Sequence, residues 1–332
     1  MKRQLLGVAA ILLSISTYAQ DNPLWMRYCA ISPDGTTIAF TYKGDIYTVP
    51  STGGRASQIT TNPAHDTKPI WSPDGKKIAF ASDRMGSMDI FEVNKEGGIP
   101  KRLTTHSGNE TPVAYKDAGH ILFLANIMPT AEDAQFPSGQ FQQVYEVNTE
   151  GGRPILFSSM PMEDISINHT GNTLLYHDKK GYEDPWRKHH TSSITRDIWL
   201  CSLNGNRTFR KQTTFNGEDR TPVWASDDKS FYYLSEEKGS FNIFKRDIDG
   251  NTSKQITNHT KHPVRFLSAA SNGTLCYGYD GEIYTVKEGA IPQKVQISIV
   301  TDKNDKDLIR QIKRSGATEI SLSPDAKEIA FV

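Results

Sequence analysis

Three short patterns that recur in step predict an all-β fold: a six-bladed β-propeller of four-stranded antiparallel blades, followed by the first strands of a second propeller. The first pattern is a turn between apolar runs. Ile31-Ser32-Pro33-Asp34-Gly35 with Ile38-Ala39-Phe40 recurs 40 residues on as Trp71-Ser72-Pro73-Asp74-Gly75 with Ile78-Ala79-Phe80, and again as Leu322-Ser323-Pro324-Asp325-Ala326 with Ile329-Ala330-Phe331. Degenerate copies stand at Lys116-Asp117-Ala118-Gly119, His169-Thr170-Gly171-Asn172, Ser226-Asp227-Asp228-Lys229 and Ser271-Asn272-Gly273. The second pattern joins an acidic or amide residue, a β-branched residue and an aromatic: Asp45-Ile46-Tyr47, Asp89-Ile90-Phe91, Gln143-Val144-Tyr145, Asp197-Ile198-Trp199, Asn242-Ile243-Phe244 and Glu282-Ile283-Tyr284, at offsets of 44, 54, 54, 45 and 40 residues. The third is a glycine turn at Gly53-Gly54, Gly97-Gly98, Gly151-Gly152, Gly205-Asn206 and Gly250-Asn251.

Each unit holds four β-compatible runs and three turns. In the second unit the runs are Lys68 to Trp71, Lys77 to Ala81, Asp89 to Val93 and Lys101 to Thr104. Pro-Asp-Gly makes the first turn because proline presets φ and glycine accepts positive φ, and Gly-Gly makes a later hairpin. Gln58-Ile59-Thr60, Arg102-Leu103-Thr104 and Gln255-Ile256-Thr257 close three of the units. A lone four-stranded sheet cannot bury both faces, so the sheets must stack, and radial stacking is the propeller solution.

The units begin near Met26, Asp66, Asn109, Met162, Asp219 and His262, so the ring is expected over residues 22–300. Residues 301–316 are polar and charge-mixed and read as a linker, with one helical turn around Leu308-Ile309; residues 317–332 begin another unit. Because every unit keeps its four strands in chain order, the ring is expected to close by side-chain packing, with the first and sixth blades exchanging their amides fastest.

Ahead of the repeats, Lys2-Arg3, the apolar stretch from Leu5 to Ile15 and the exit Ser16 to Gln20 have the layout of a secretory signal peptide over residues 1–19. Cleavage after Ala19 would place the chain in a periplasm or outside the cell. The apolar stretch is too short to span a bilayer and no other segment approaches that length, so no membrane span is expected. Lys+Arg and Asp+Glu number 38 each, which removes the basic excess of a nucleic-acid binder. Cys29, Cys201 and Cys276 lie far apart and outside any Cys-x-x-Cys pair, and read as buried strand thiols.

The Ser-Pro-Asp-Gly-x-x-Ile-Ala-Phe unit, with Asp-Ile-Tyr and Gly-Gly behind it, resembles the propeller repeats of TolB-like proteins, prolyl-oligopeptidase-type peptidases and tricorn proteases. Six units, a linker and Arg314-Ser315-Gly316-Ala317-Thr318-Glu319 ahead of a new repeat resemble the tricorn junction between a six-bladed and a seven-bladed propeller. The insert of the fourth unit, Gly181 to Trp199, is similar to that family's corresponding blade. The resemblance implies the N-terminal gating part of a serine peptidase that forms a large homo-oligomer and handles peptides, with its catalytic residues outside these 332 positions. The alternatives are a non-enzymatic TolB-like scaffold that binds proteins and the propeller of a prolyl-oligopeptidase-type enzyme.

Self-sufficient chemistry is not legible. There is no Gly-x-Ser-x-Gly elbow, no His-Glu-x-x-His, no phosphate loop and no dinucleotide fingerprint, so no catalytic residue, metal or cofactor is expected within the chain. Asp34 and Asp74 read as turn residues and not metal ligands, and the aromatic of each unit reads as packing between blades. Asn-x-Ser/Thr triplets such as Asn168-His169-Thr170 read first as turns. The one segment that reads as a site is the loop with Trp186-Arg187-Lys188-His189-His190: Arg187, Lys188, His189 and His190 offer two fixed cations and two histidines to a peptide carboxylate or an acidic neighbour.

Overall fold

The structure, a computed structural model, describes residues 23–127, 141–181, 191–300, 315–316 and 318–331. The segment read as a signal peptide, most of the segment read as a linker, with Leu308-Ile309, and Arg187, Lys188, His189 and His190 lie outside the described residues. The chain divides after Ile299 into two compact units.

Among the described residues the first unit contains six four-stranded sheets, each antiparallel and each in chain order. Blade 1 runs Arg27–Ile31, Thr37–Tyr42, Asp45–Pro50 and Ser57–Gln58; blade 2 runs Asp66–Trp71, Lys77–Ser82, Asp89–Asn94 and Lys101–Arg102. Blades 3 to 6 start at Thr111–Asp117, Met162–Ile167, Asp219–Trp224 and Arg265–Ala269, within three residues of the starts expected from the repeat. Among the described residues no strand is exchanged between these six sheets.

The recurrent residues earn their places through bonds local to each blade. Asp34 Oδ1 accepts the Ser32 hydroxyl at 2.5 Å and the Thr36 amide at 3.0 Å, while Ser32 Oγ accepts the Thr37 amide at 3.0 Å. Asp74 repeats this with Ser72 at 2.7 Å and the Lys76 amide at 3.1 Å, and Gly35 and Gly75 supply φ of +77° and +67°. In blade 4, Asn168 Oδ1 accepts the Asn172 and Thr173 amides at 3.1 and 3.0 Å, so a different residue performs the same service. The threonine that closes a unit is equally constant in what it does. Thr60, Thr104, Thr213 and Thr257 accept the buried amides of Ile46, Ile90, Ile198 and Ile243 respectively, at 2.9 to 3.0 Å. Without that hydroxyl a buried donor would go unpaired, at a cost of about 1–3 kcal/mol.

The once-per-unit aromatic packs across its own hairpin. Tyr47 faces Phe40, Phe91 faces Phe80, Tyr145 faces Phe123 and Tyr284 faces Tyr277 in register, with ring centroids 5.7 to 6.1 Å apart. Between blades, Ala39 and Ile46 of blade 1 join Ile78, Phe80 and Phe91 of blade 2 in one buried cluster. Trp71 Nε1 donates to the Ala30 carbonyl of the preceding blade at 2.8 Å, and Trp224 Nε1 does the same to Ser166 at 3.0 Å.

Closure by side-chain packing alone is corrected by the structure. Beyond blade 6, Ile297–Ser298 pairs in parallel with Gly54–Arg55 of blade 1. The Gly54 amide donates to the Gln296 carbonyl at 2.8 Å and the Ala56 amide to the Ser298 carbonyl at 2.9 Å. Met26 to Gly281 at 3.1 Å and Ser271 to Pro33 at 2.9 Å add further backbone bonds between the first and last blades. The physical reason is that the chain continues past its sixth sheet: Val295 and Ile297 alternate into the same buried cluster as Met26, Val49 and Ala56, which presents the intervening backbone to the edge of blade 1.

The second unit holds an antiparallel hairpin, Ile320–Leu322 with Ile329–Phe331, around a turn in which Asp325 Oδ1 accepts the Ser323 hydroxyl at 2.6 Å. Its Ile320, Leu322, Ile329 and Phe331 are exposed.

Candidate functional site

The first strands of the six blades surround a central channel of about 490 Å³. Their pairing with the second strands slips in every blade: between Arg27 and Ala30, Thr67 and Ile70, Pro112 and Ala114, Glu163 and Ser166, Arg220 and Val223, and Arg265 and Ser268, with a second slip in blade 3 between Tyr115 and Asp117. A bulge re-aims a side chain by inserting an unpaired residue. Tyr28, Lys68, Asp164, Thr221 and Phe266 occupy these bulges with φ between 49° and 58°, a left-handed conformation that is uncommon for residues other than glycine. With Val113 of blade 3 they all line the channel.

The channel wall has two chemically distinct sides. On one, the Tyr28 and Phe266 rings lie 4.8 Å apart and Lys68 Nζ stands 5.7 Å above Tyr28. Burial pushes the Tyr28 hydroxyl up from its ordinary value, so it stays a neutral donor. On the other side, Glu163, Asp164, His177, Arg196 and Arg220 form a charged network at blades 4 and 5. His177 is buried; its Nε2 stands 3.2 Å from Glu163 and its Nδ1 3.6 Å from Asp164. Lys179 reaches Glu163 at 2.8 Å, Arg220 Nε donates to Glu218 at 2.8 Å, and Arg196 stands 3.3 Å from Glu218 and 3.6 Å from Glu163. Burial opposes the charge on Glu163, yet hydrogen bonding and attraction from His177 and Lys179 hold its carboxyl far below the usual range. Glu218 is lowered by Arg220 and Arg196 against the same opposing burial. Removing a cation from this network would leave a buried carboxylate unanswered, at a cost of about 3–5 kcal/mol.

The sequence reading missed these channel residues. Their signal is faint: proline follows the bulge residue at Lys68-Pro69 and Thr221-Pro222, and proline within a strand marks an edge or a bulge. The bulge residues themselves share no chemistry, and a repeat search keeps only what is alike. Arg187, Lys188, His189 and His190 are not placed against this wall, since they lie outside the described residues. At the described foot of their insert, Lys180 pairs with Asp197, and Lys211 reaches the same carboxylate at 2.8 Å. Asp34 and Asp74 are engaged in their own turns, as the sequence predicts.

Residues 23–290 match the family described as the tricorn protease N-terminal beta propeller domain. The chain is 25% identical over 281 residues to tricorn protease homolog 1 of Streptomyces coelicolor, a match that covers 83% of this chain and 25% of that protein. It therefore spans about a quarter of the length of this curated relative. A crystal structure of the tricorn protease superposes with a TM-score of 0.69 at 20% identity, covering 93% of this chain and 29% of the other. TolB from Acinetobacter baumannii superposes with a TM-score of 0.58 at 15% identity, covering 79% of this chain and 61% of the other, which is a likeness of fold. A ring of six four-stranded blades, matched almost from its first described residue to its last blade, places the chain in the tricorn protease N-terminal β-propeller family.

Proposed function

We propose that this chain is the propeller part of a larger, exported serine peptidase of the tricorn type, and that its central channel takes up peptides and gates their passage. One observation carries the reading: all six blades direct a bulge position at the same channel, and in five of them a non-glycine residue is held there in a left-handed conformation. Strain of about 1–3 kcal/mol at such a residue persists where the surrounding structure over-determines it, and it clusters at binding sites. A wall with an aromatic and cationic side facing a charged side suits extended peptides, whose backbone and ends are polar and whose side chains are mixed. The full-length protein would be a homo-oligomer, a reading supported by its similarity to tricorn proteases. The hairpin around Ser323 would open a second propeller, and the leader over residues 1–19 would deliver the chain to a periplasm.

The experiment is peptide binding to the full chain by fluorescence anisotropy, with Tyr28→Ala and Lys68→Ala in the channel and Arg187→Ala and His190→Ala in the insert. Channel variants should weaken binding about tenfold, roughly 1.4 kcal/mol. Unchanged affinity in both channel variants would remove peptide uptake from this site, and unchanged affinity in both insert variants would remove the insert from it. Peptide that never binds, together with capture of an intact protein on one face, would favour the TolB-like scaffold.

A further inference from the structure

Two of the three cysteines meet at the seam of the ring. Cys29 stands on the first strand of blade 1, and Cys276, 247 positions later, on the second strand of blade 6. Both are buried in one apolar cluster with Met26, Ile31 and Ile297. Ser268, opposite Cys276 in the blade 6 sheet, ties the two strands together. Its hydroxyl accepts the Ile31 amide at 3.0 Å and stands 3.5 Å from the carbonyl oxygens of both Cys29 and Cys276. The Cys29 thiol donates to the Phe266 carbonyl at 3.4 Å, and after burial its nearness is the main influence that raises the Cys276 thiol. Cys201 lies apart, in blade 4.

The other contacts across this seam are a few backbone bonds, the Asn272 side-chain amide donating to the Asp34 carbonyl at 3.2 Å, the Tyr28–Phe266 ring pair and apolar packing. We propose that Cys29 and Cys276 form a disulfide that locks blade 6 to blade 1 when the chain folds in the presence of a disulfide oxidant such as oxidised glutathione. The exchange balances in two steps. One cysteine thiolate attacks the oxidant, forming a mixed disulfide and expelling one glutathione thiolate, which takes up the proton the cysteine lost. The second cysteine thiolate then attacks the protein sulfur of that mixed disulfide, forming the Cys29–Cys276 bond and releasing the second glutathione. Timing follows from burial. In the closed ring Cys276 is fully enclosed and its thiol is pushed well above the ordinary value, which makes it a poor nucleophile. The exchange therefore belongs to the closing step, before blade 6 seals against blade 1, and the finished bond is sheltered from reductant by the same enclosure. A bond that joins residues this far apart restricts the unfolded chain strongly. The oxidising compartment it needs is the one the leader implies; the chemistry itself can be tested without that premise.

The test uses the full chain, unfolded, reduced, and refolded in a glutathione redox buffer. It is then alkylated under denaturing conditions and digested without reduction. The expected result is one alkylated cysteine, Cys201, and a peptide pair that joins Cys29 to Cys276. In Cys201→Ala no cysteine should be alkylated and the bridge should persist. The oxidised protein should melt about 5 °C or more above the same protein refolded fully reduced. Cys29→Ala should abolish both the bridge and this difference; should that variant fail to fold, the oxidised and reduced forms of the unmutated chain still decide. Three alkylated thiols on folded protein, a bridge that includes Cys201, or equal melting points in the two redox states would each overturn the proposal.

Discussion

Glu110 and Asp219 hold the same place in different blades, at the entry to the first strand, and both are fully buried. Their amides make the equivalent bond back to the preceding blade, Glu110 to Met88 at 2.7 Å and Asp219 to Arg196 at 3.1 Å, as Asp66 does to Gly44 at 2.8 Å. At Asp66 the carboxylate is answered by Arg84 at 2.9 Å. At Glu110 burial pushes the carboxyl up to about 7, with the nearby Asp89 carboxylate adding to the rise and the Thr104 hydroxyl and Arg102 opposing it; at Asp219 burial likewise raises it to about 7. A folded-state value raised above the unfolded one means the native state holds the proton more tightly. The stability from Glu110 is thus fully present below about pH 4.5 and is lost as the pH rises toward 7. Glu110→Gln, which keeps the shape without the charge, should raise stability at pH 8 by about 2 kcal/mol and leave it unchanged at pH 4, as read by urea unfolding at the two pH values. Equal effects at both would mean that Glu110 stays ionised.

At the scale of an element, the seam depends on Gly53 for a reason that its counterpart in blade 2, Gly97, does not share. Gly53 has φ of +93°, and a β-carbon there would stand 2.6 Å from the Gln296 carbonyl oxygen; Gly97, at +94°, would meet nothing closer than the Ile59 oxygen at 3.5 Å. Both alanine variants carry the left-handed strain, about 1 kcal/mol or more, but only Gly53→Ala must also push the closing strand away. Gly53→Ala should therefore destabilise the ring by about 2 kcal/mol more than Gly97→Ala in thermal or urea unfolding. A similar loss in the two variants would show that the parallel pairing of Ile297–Ser298 contributes little.

For the whole molecule, the closed ring and the two-stranded hairpin of the second unit predict opposite exchange behaviour. The Gly54 and Ala56 amides cross the seam and should be protected on the timescale of global opening, whereas the amides of Ile320–Leu322, in a two-stranded hairpin with exposed apolar side chains, should exchange roughly a hundredfold faster. Fast exchange at Gly54 and Ala56 would return closure to side-chain packing. The sequence alone determined the blades, because each is a local object: Ser32, Asp34, Thr60 and Tyr47 bond or pack within about thirty residues of one another, and the same solution is written six times. Of the channel wall it determined only that the sheets stack radially about an axis, not which strand of each faces it. What only the tertiary structure decided lies between distant residues that do not repeat. Tyr28 beside Phe266, Glu163 and Arg196 with Glu218, Ile297 against Gly54 and Cys29 against Cys276 each join different blades or the two ends of the ring, and no period reports them. A repeat is visible because its members are alike; a binding channel and a seam are built where they differ, and those partners are chosen only when the ring closes.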